Sequence, residues 1–220
     1  MELAAVRDRS ARPFTIIDSV MSHYDLPVEL RYLAVIESEL RATAVSRVGA
    51  KGPWQLMAAT ARDLGLKVNY RSDERTNYYK STRAAALYLR DLQREFKDWL
   101  LVLAAYNAGP VPVYRAIKRA HSRNFWVLER YLPAETRQHV KRFIATAYYF
   151  TISEPVLDPI HVVPGGGQAG YGGFVKSGLT GSAGAFDEGD TRVVVERVMG
   201  AGVLRRGSFG AFGGRNEVVL

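Results

Sequence analysis

A chain of 220 residues with 47% hydrophobic content has room for one domain plus an appendage, and enough apolar surface for a real core. It contains no cysteine, which excludes disulfides, thiolate metal sites and a lipidated N-terminal Cys. The net charge of +8 resides in residues 1–154, where 24 Lys+Arg face 16 Asp+Glu; residues 155–220 hold six of each and 16 of the 20 glycines, so a boundary is expected near 155.

Residues 1–12 are charged and lack an apolar h-region, so no signal peptide is visible, and no segment reaches the length of a membrane-spanning helix. The pattern before residue 155 predicts helices over about 13–23, 27–40, 55–65, 80–96, 98–108, 110–120, 124–131 and 133–152, with no strand-like alternation. The helix at 27–40 is the most informative. Pro27 suits a first helical turn, and Asp25 is a candidate cap. Leu30, Leu33, Ala34 and Glu37 recur at spacings of three and four, which is one helical face. A Glu that continues an apolar stripe is costly to bury ionised, and a Glu kept protonated is what general-acid catalysis needs. At the edge of that stripe, half solvated, the same residue would be inert.

Beyond this helix, Gly49, Gly52 and Pro53 interrupt helical structure and allow close backbone approach to a ligand. Trp54, Gln55 and Met57 follow, an aromatic, an amide and a soft apolar group of the kind that grips a sugar; an ordinary connection with Trp54 in the core is the competing reading. The Ala-rich helix from Ser81 is expected to be capped by Ser or Thr. The helix ending Tyr106-Asn107-Ala108-Gly109-Pro110 stops where Asn and Gly tolerate the left-handed conformation and Pro forbids continuation. The four histidines (His23, His121, His139 and His161) have no metal spacing and suit surface or core positions. The basic runs Arg90/Arg94/Lys97 and Lys118/Arg119/Arg123 are interrupted by acids and lack interleaved aromatics, which speaks against a nucleic-acid reader. After residue 155 the run 163–174 reads as a Gly-rich linker, 191–198 is the β-like run, and 216–220 could supply a short partner.

Taken together, Glu37-Ser38, Ser46, Gly49, Gly52, Gln55, Thr60-Ala61, the Ala-Tyr-Asn-Ala-Gly-Pro run and Glu135-Thr136-Arg137 resemble the lytic transglycosylases of the soluble-transglycosylase type, relatives of goose-type lysozyme. His139 stands where that family usually has Tyr. The segment 70–76 and Asp98-Trp99 look most like the membrane-bound type D branch. The resemblance covers roughly residues 25–150.

It implies an all-α, lysozyme-like catalytic domain over 1–154; the composition of the Gly-rich extension, 155–220, points to disorder or a small β appendage. The resemblance implies cleavage of peptidoglycan glycan strands between N-acetylmuramic acid and N-acetylglucosamine, in the periplasm or cell envelope, with no cofactor, no metal and no nucleic acid. Glu37 would act as acid and then base, closing a 1,6-anhydro ring. Ser46 and Gln55 would contact the muramoyl sugar and Met57 would pack on it. Tyr106 would orient Glu37 by a hydrogen bond, Asn107 would turn the helix end, and Glu135 would lie along the groove. A lysozyme-like hydrolase needs a second carboxylate. Glu39 is turned about 200° away on an ideal helix, while Asp63, Asp73 and Glu74 remain open as that second acid. A non-catalytic glycan binder is the remaining alternative.

Overall fold

The computed structural model describes residues 2–153. The Gly-rich run 163–174 and the β-like segments 191–198 and 216–220 lie outside the described residues. Among those described, the elements are helical: α1 (Leu3–Asp8), α2 (Ala11–His23), α3 (Arg31–Ser38), α4 (Ala58–Asp63), α5 (Tyr78–Phe96), α6 (Trp99–Ala108), α7 (Pro110–Ala120), α8 (Phe125–Leu128) and α9 (Ala134–Ser153). Extended pairing is limited there to the isolated bridges Val45–Lys51, Lys51–Leu56 and Val68–Asp73. The expected all-α architecture is the observed one.

At the centre is α3, entered through a 3-10 turn at Val28–Leu30. Tyr32, Leu33, Ala34, Val35 and Ile36 are all buried, so the helix is apolar on nearly every side and must lie inside the domain. Each of its large aliphatic side chains contributes about 1.5–3 kcal/mol by leaving water. It sits against α9 and α2, and α6, also buried over Leu100–Ala105, joins α5, α7 and α9.

The helix starts differ from expectation in two places. Asp25 is not the cap of the third helix: it has φ 56, and Pro27, the residue before the 3-10 turn, makes no side-chain cap bond. The cap of α5 is Asn77, whose side chain accepts from the Lys80 N–H at 2.9 Å. Ser81 and Thr82 lie buried inside the first turns instead, where a hydroxyl can bond inward. Asp98 caps α6 by accepting from the Leu101 N–H, and Gly109 at φ 80 lets Pro110 open α7 directly. The short α1, not foreseen, spans six residues and anchors through Val6.

Candidate active site

The last turn of α3 carries Glu37, and the chain reverses sharply behind it. Glu39 and Leu40 both adopt left-handed conformations, φ 54 and 62, and the Leu40 N–H closes the helix on the Ala34 carbonyl. A non-glycine residue there costs about 1–2 kcal/mol. The cost is offset by ties at both carbonyls: Arg9 donates to the Glu39 carbonyl at 3.2 Å, and the Tyr78 hydroxyl donates to that of Leu40. Arg9 also pairs with the Glu39 carboxylate. This reversal fixes where α3 stops and therefore where Glu37 stands.

The loop that follows is held from below by a buried arginine. Arg75 donates to the carbonyls of Gly49 and Leu56 at 2.9 and 3.0 Å, while Asp73 accepts from its Nε and Nη2. The Arg75 guanidinium, with Lys51 adding to it, holds the Asp73 carboxyl well below the usual carboxylate range, against the opposing effect of burial. Gly52 lies so close to this turn that a Cβ placed on it would stand 1.9 Å from the Arg75 carbonyl oxygen. Gln55, at φ 46, uses its amide nitrogen inside the loop, donating to the Ala44 and Gly52 carbonyls.

Two hydroxyls clamp this loop beside Glu37. Ser38 donates to the Pro53 carbonyl at 2.9 Å, and Tyr106 donates to the Trp54 carbonyl at 2.7 Å. Tyr106 therefore does not make the expected hydrogen bond to Glu37: its one proton goes to the loop backbone. It remains Glu37's neighbour. Burial pushes its phenol well above the ordinary value, and the charge of Glu37 raises it further.

The group that bonds Glu37 is His139 of α9, whose Nε2 lies 2.7 Å from Oε1. The imidazole side chain is 2% exposed and the carboxylate side chain 15%. Among the described residues no group bonds the other oxygen, Oε2, and it is not sealed from solvent. A deep ring thus holds one oxygen of an acid whose second oxygen faces outward.

The remaining expected site residues fall around this pair in different ways. Ser46 accepts from the Ala50 N–H through its hydroxyl, which pins the loop and leaves its own proton to donate. Met57 is exposed, at the start of α4. Asn107 accepts from the Thr136 hydroxyl at 2.9 Å, joining the end of α6 to the start of α9. Glu135 is exposed in the first turn of α9, one turn before His139 and on the same helical face. Trp54, offered as a sugar-gripping ring, is instead fully buried and donates to Thr82.

Of the acids left open as a second carboxylate, Asp73 is bound to Arg75 and Lys51 and Glu74 to Lys80, while Asp63 is exposed at the end of α4 and makes no ion pair among the described residues. Glu39 is paired with Arg9 and Arg41. Sequence reasoning missed Arg75 and the inward role of His139. The signal for the second was its departure from Tyr in the fourth block.

A buried helix bearing one half-open acid, a glycine loop clamped against it and α9 packed on that helix define a helical, lysozyme-like class of fold. Residues 16–128, just over half of the chain, match the transglycosylase SLT domain, and the chain belongs to that family. It is 40% identical over 126 residues to membrane-bound lytic murein transglycosylase D of Escherichia coli, a match covering 55% of this chain and 27% of that protein. The chain thus spans about a quarter of the length of that relative. Its fold is similar to that of an inactive mutant of the lytic transglycosylase Slt from Pseudomonas aeruginosa, with TM-score 0.57 and 26% identity over 67% of this chain and 25% of that one. The 70 kDa soluble lytic transglycosylase of Escherichia coli shares the fold as well, with TM-score 0.56 and 23% identity over 63% of this chain and 24% of that one.

Proposed function

We propose that this chain is a peptidoglycan lytic transglycosylase in which Glu37 acts first as acid and then as base. Protonated on the open oxygen, it gives its proton to the glycosidic oxygen between N-acetylmuramic acid and N-acetylglucosamine. The C1–O bond breaks, and its electron pair goes to the departing N-acetylglucosamine hydroxyl. The muramoyl 6-hydroxyl then attacks C1 while the Glu37 carboxylate takes its proton, so a 1,6-anhydro ring closes and no water is consumed.

The observation that carries this reading is the half-open carboxylate of Glu37 beside the clamped loop, with the nearby acids Glu39, Asp73 and Glu74 each engaged by cations. A hydrolase of the inverting or retaining kind needs a second free carboxylate at a set distance. One observation favours that alternative. Glu135 is exposed one helical turn from His139 and its carboxylate makes no ion pair among the described residues, and in a hydrolase it would be the group to activate water.

Ser46, through its free hydroxyl proton, and Gln55, through its amide oxygen, are proposed to meet the sugar's polar groups, with Met57 against its ring. Asn107 and Glu135 line the same side, where α6 meets α9. A cavity of about 890 Å³ beside α7, lined by Arg115, Lys118, Arg119 and Tyr131, lies outside this constellation. Among the described residues its arginines and lysine make no ion pair, and they suit attraction to an anionic wall polymer in the cell envelope. Residues 1–154 are proposed as the catalytic unit, with 155–220 as an extension.

Glu37→Gln tests the assignment. It keeps the size and the contact to His139 but removes the proton cycle, so it should melt like the wild type and release no muropeptides from purified peptidoglycan. Release at the wild-type rate would remove Glu37 from the chemistry.

A further inference from the structure

The bond between His139 and Glu37 is asymmetric in a way that assigns a role to each oxygen. His139 Nε2 lies 2.7 Å from Oε1, while its other ring nitrogen, Nδ1, is buried with no hydrogen-bond partner. A neutral imidazole protonated at Nε2 leaves only a lone pair at that buried nitrogen. Any form that protonates Nδ1 instead buries an N–H with no acceptor, a penalty comparable to losing a hydrogen bond in an apolar site. The geometry therefore selects the Nε2–H tautomer, donating to Oε1.

We infer that His139 is a positioning residue that dedicates Oε1 of Glu37 to the imidazole and so makes Oε2 the oxygen that delivers and recovers the proton. This rests on the reading of Glu37 as the acid and base. Through the reaction the imidazole N–H stays where it is. The proton leaves Oε2 for the glycosidic oxygen and returns to Oε2 from the 6-hydroxyl, while Oε1 accepts from His139 throughout. The carboxyl group is thus held against rotation about its last torsion, and both proton transfers use one oxygen in one place.

Among the described residues no other side chain does this. The Tyr106 proton is committed to the Trp54 carbonyl and that of Ser38 to the Pro53 carbonyl. His139 itself is fixed by its place on α9, between Thr136, which binds Asn107, and the buried Val140 and Phe143. A residue of this kind affects the turnover step far more than substrate binding, because misplacing a reacting group by about 1 Å costs on the order of 100-fold.

The test combines two substitutions with one spectroscopic reading on the full chain. His139→Leu removes the donor, and His139→Gln keeps an N–H of similar reach. With soluble peptidoglycan fragments as substrate, His139→Leu should lose about 100-fold in kcat with KM changed by no more than about threefold, and His139→Gln should recover to within about tenfold of the wild type. In ¹⁵N-histidine NMR, the signal absent from His139→Gln should show a protonated Nε2 and an unprotonated Nδ1.

Wild-type kcat in His139→Leu would overturn the inference, as would a His139→Gln no better than His139→Leu, or a protonated Nδ1. If His139→Leu does not fold, the glutamine variant and the NMR reading still decide. Glu37→Gln run in parallel separates the two readings. An inactive Glu37→Gln beside a fully active His139→Leu removes only the positioning role, whereas an active Glu37→Gln removes the acid itself.

Discussion

Gly52→Ala is the substitution whose cost the structure states most directly. Two penalties add. The residue sits at φ +84, where an L side chain is disfavoured by about 1–2 kcal/mol. The new methyl would also stand 1.9 Å from the carbonyl oxygen and 2.7 Å from the carbonyl carbon of Arg75, both backbone atoms that no rotamer change can move aside. Shifting backbone to admit an extra carbon costs about 1–3 kcal/mol. Arg75 would move with its carbonyl and loosen its grip on Gly49 and Leu56.

The sum is about 3 kcal/mol, or a melting temperature lower by about 6–12 °C for a domain of this size. Gly49→Ala is the matched control: its φ is +86, but nothing lies within 4 Å of the new carbon, so only the conformational cost of about 1–2 kcal/mol applies. Urea denaturation of the full chain, read by circular dichroism, should separate the two variants by about 2 kcal/mol. Equal midpoints would show that the Arg75 turn does not press on the glycine, and the account of the loop would be wrong.

Asp73→Asn should destabilise the fold by about 3 kcal/mol at neutral pH, because it leaves the buried Arg75 guanidinium without its counter-charge. The Asp73 carboxyl is held below its ordinary 3.8 in the folded protein. Its contribution is therefore present in full above about pH 4 and lost as pH falls below that toward the folded value. Urea midpoints taken down the acid range should fall more steeply for the wild type than for Asp73→Asn, and parallel curves would contradict the pairing. Tyr106→Phe strips the Trp54 carbonyl of its donor and should cost about 1–2 kcal/mol of stability in the same assay. If it instead abolished turnover at unchanged stability, Tyr106 would be acting on Glu37 and not on the loop.

Periodicity carried most of the fold. α2, α5, α6, α7 and α9 each bury a recurrent apolar set, and the residues that start or stop them, Asp98, Gly109 and Pro110, act through backbone chemistry that a sequence displays. The errors arose where a long-range partner decided the outcome. Asp25 has the chemistry of a cap, but the chain between α2 and the 3-10 turn bends through it at positive φ. Asn77 starts α5 earlier than the Ser-Thr pair suggested, because those two hydroxyls face the core and one of them receives Trp54.

The candidate site was legible in part. Glu37 stood out because a carboxylate interrupts an apolar face, a local signal. The partner that holds it comes from α9, 102 positions later, and no spacing rule connects the two. Tyr106 was placed in the right neighbourhood and given the wrong acceptor, since only coordinates decide whether a hydroxyl reaches a carboxylate or the carbonyl beside it. Arg75, which shapes the loop, is silent in the sequence because nothing local distinguishes a buried arginine from a solvated one.

Closure of an anhydro ring by one carboxylate without water is read in the mass of the product. Purified peptidoglycan digested with the full chain should yield muropeptides ending in 1,6-anhydro-N-acetylmuramic acid, each lighter by one water than the hydrolysed form. Muropeptides with reducing ends as the main product would rule out the one-carboxylate mechanism and turn attention to Glu135 as the group that activates water.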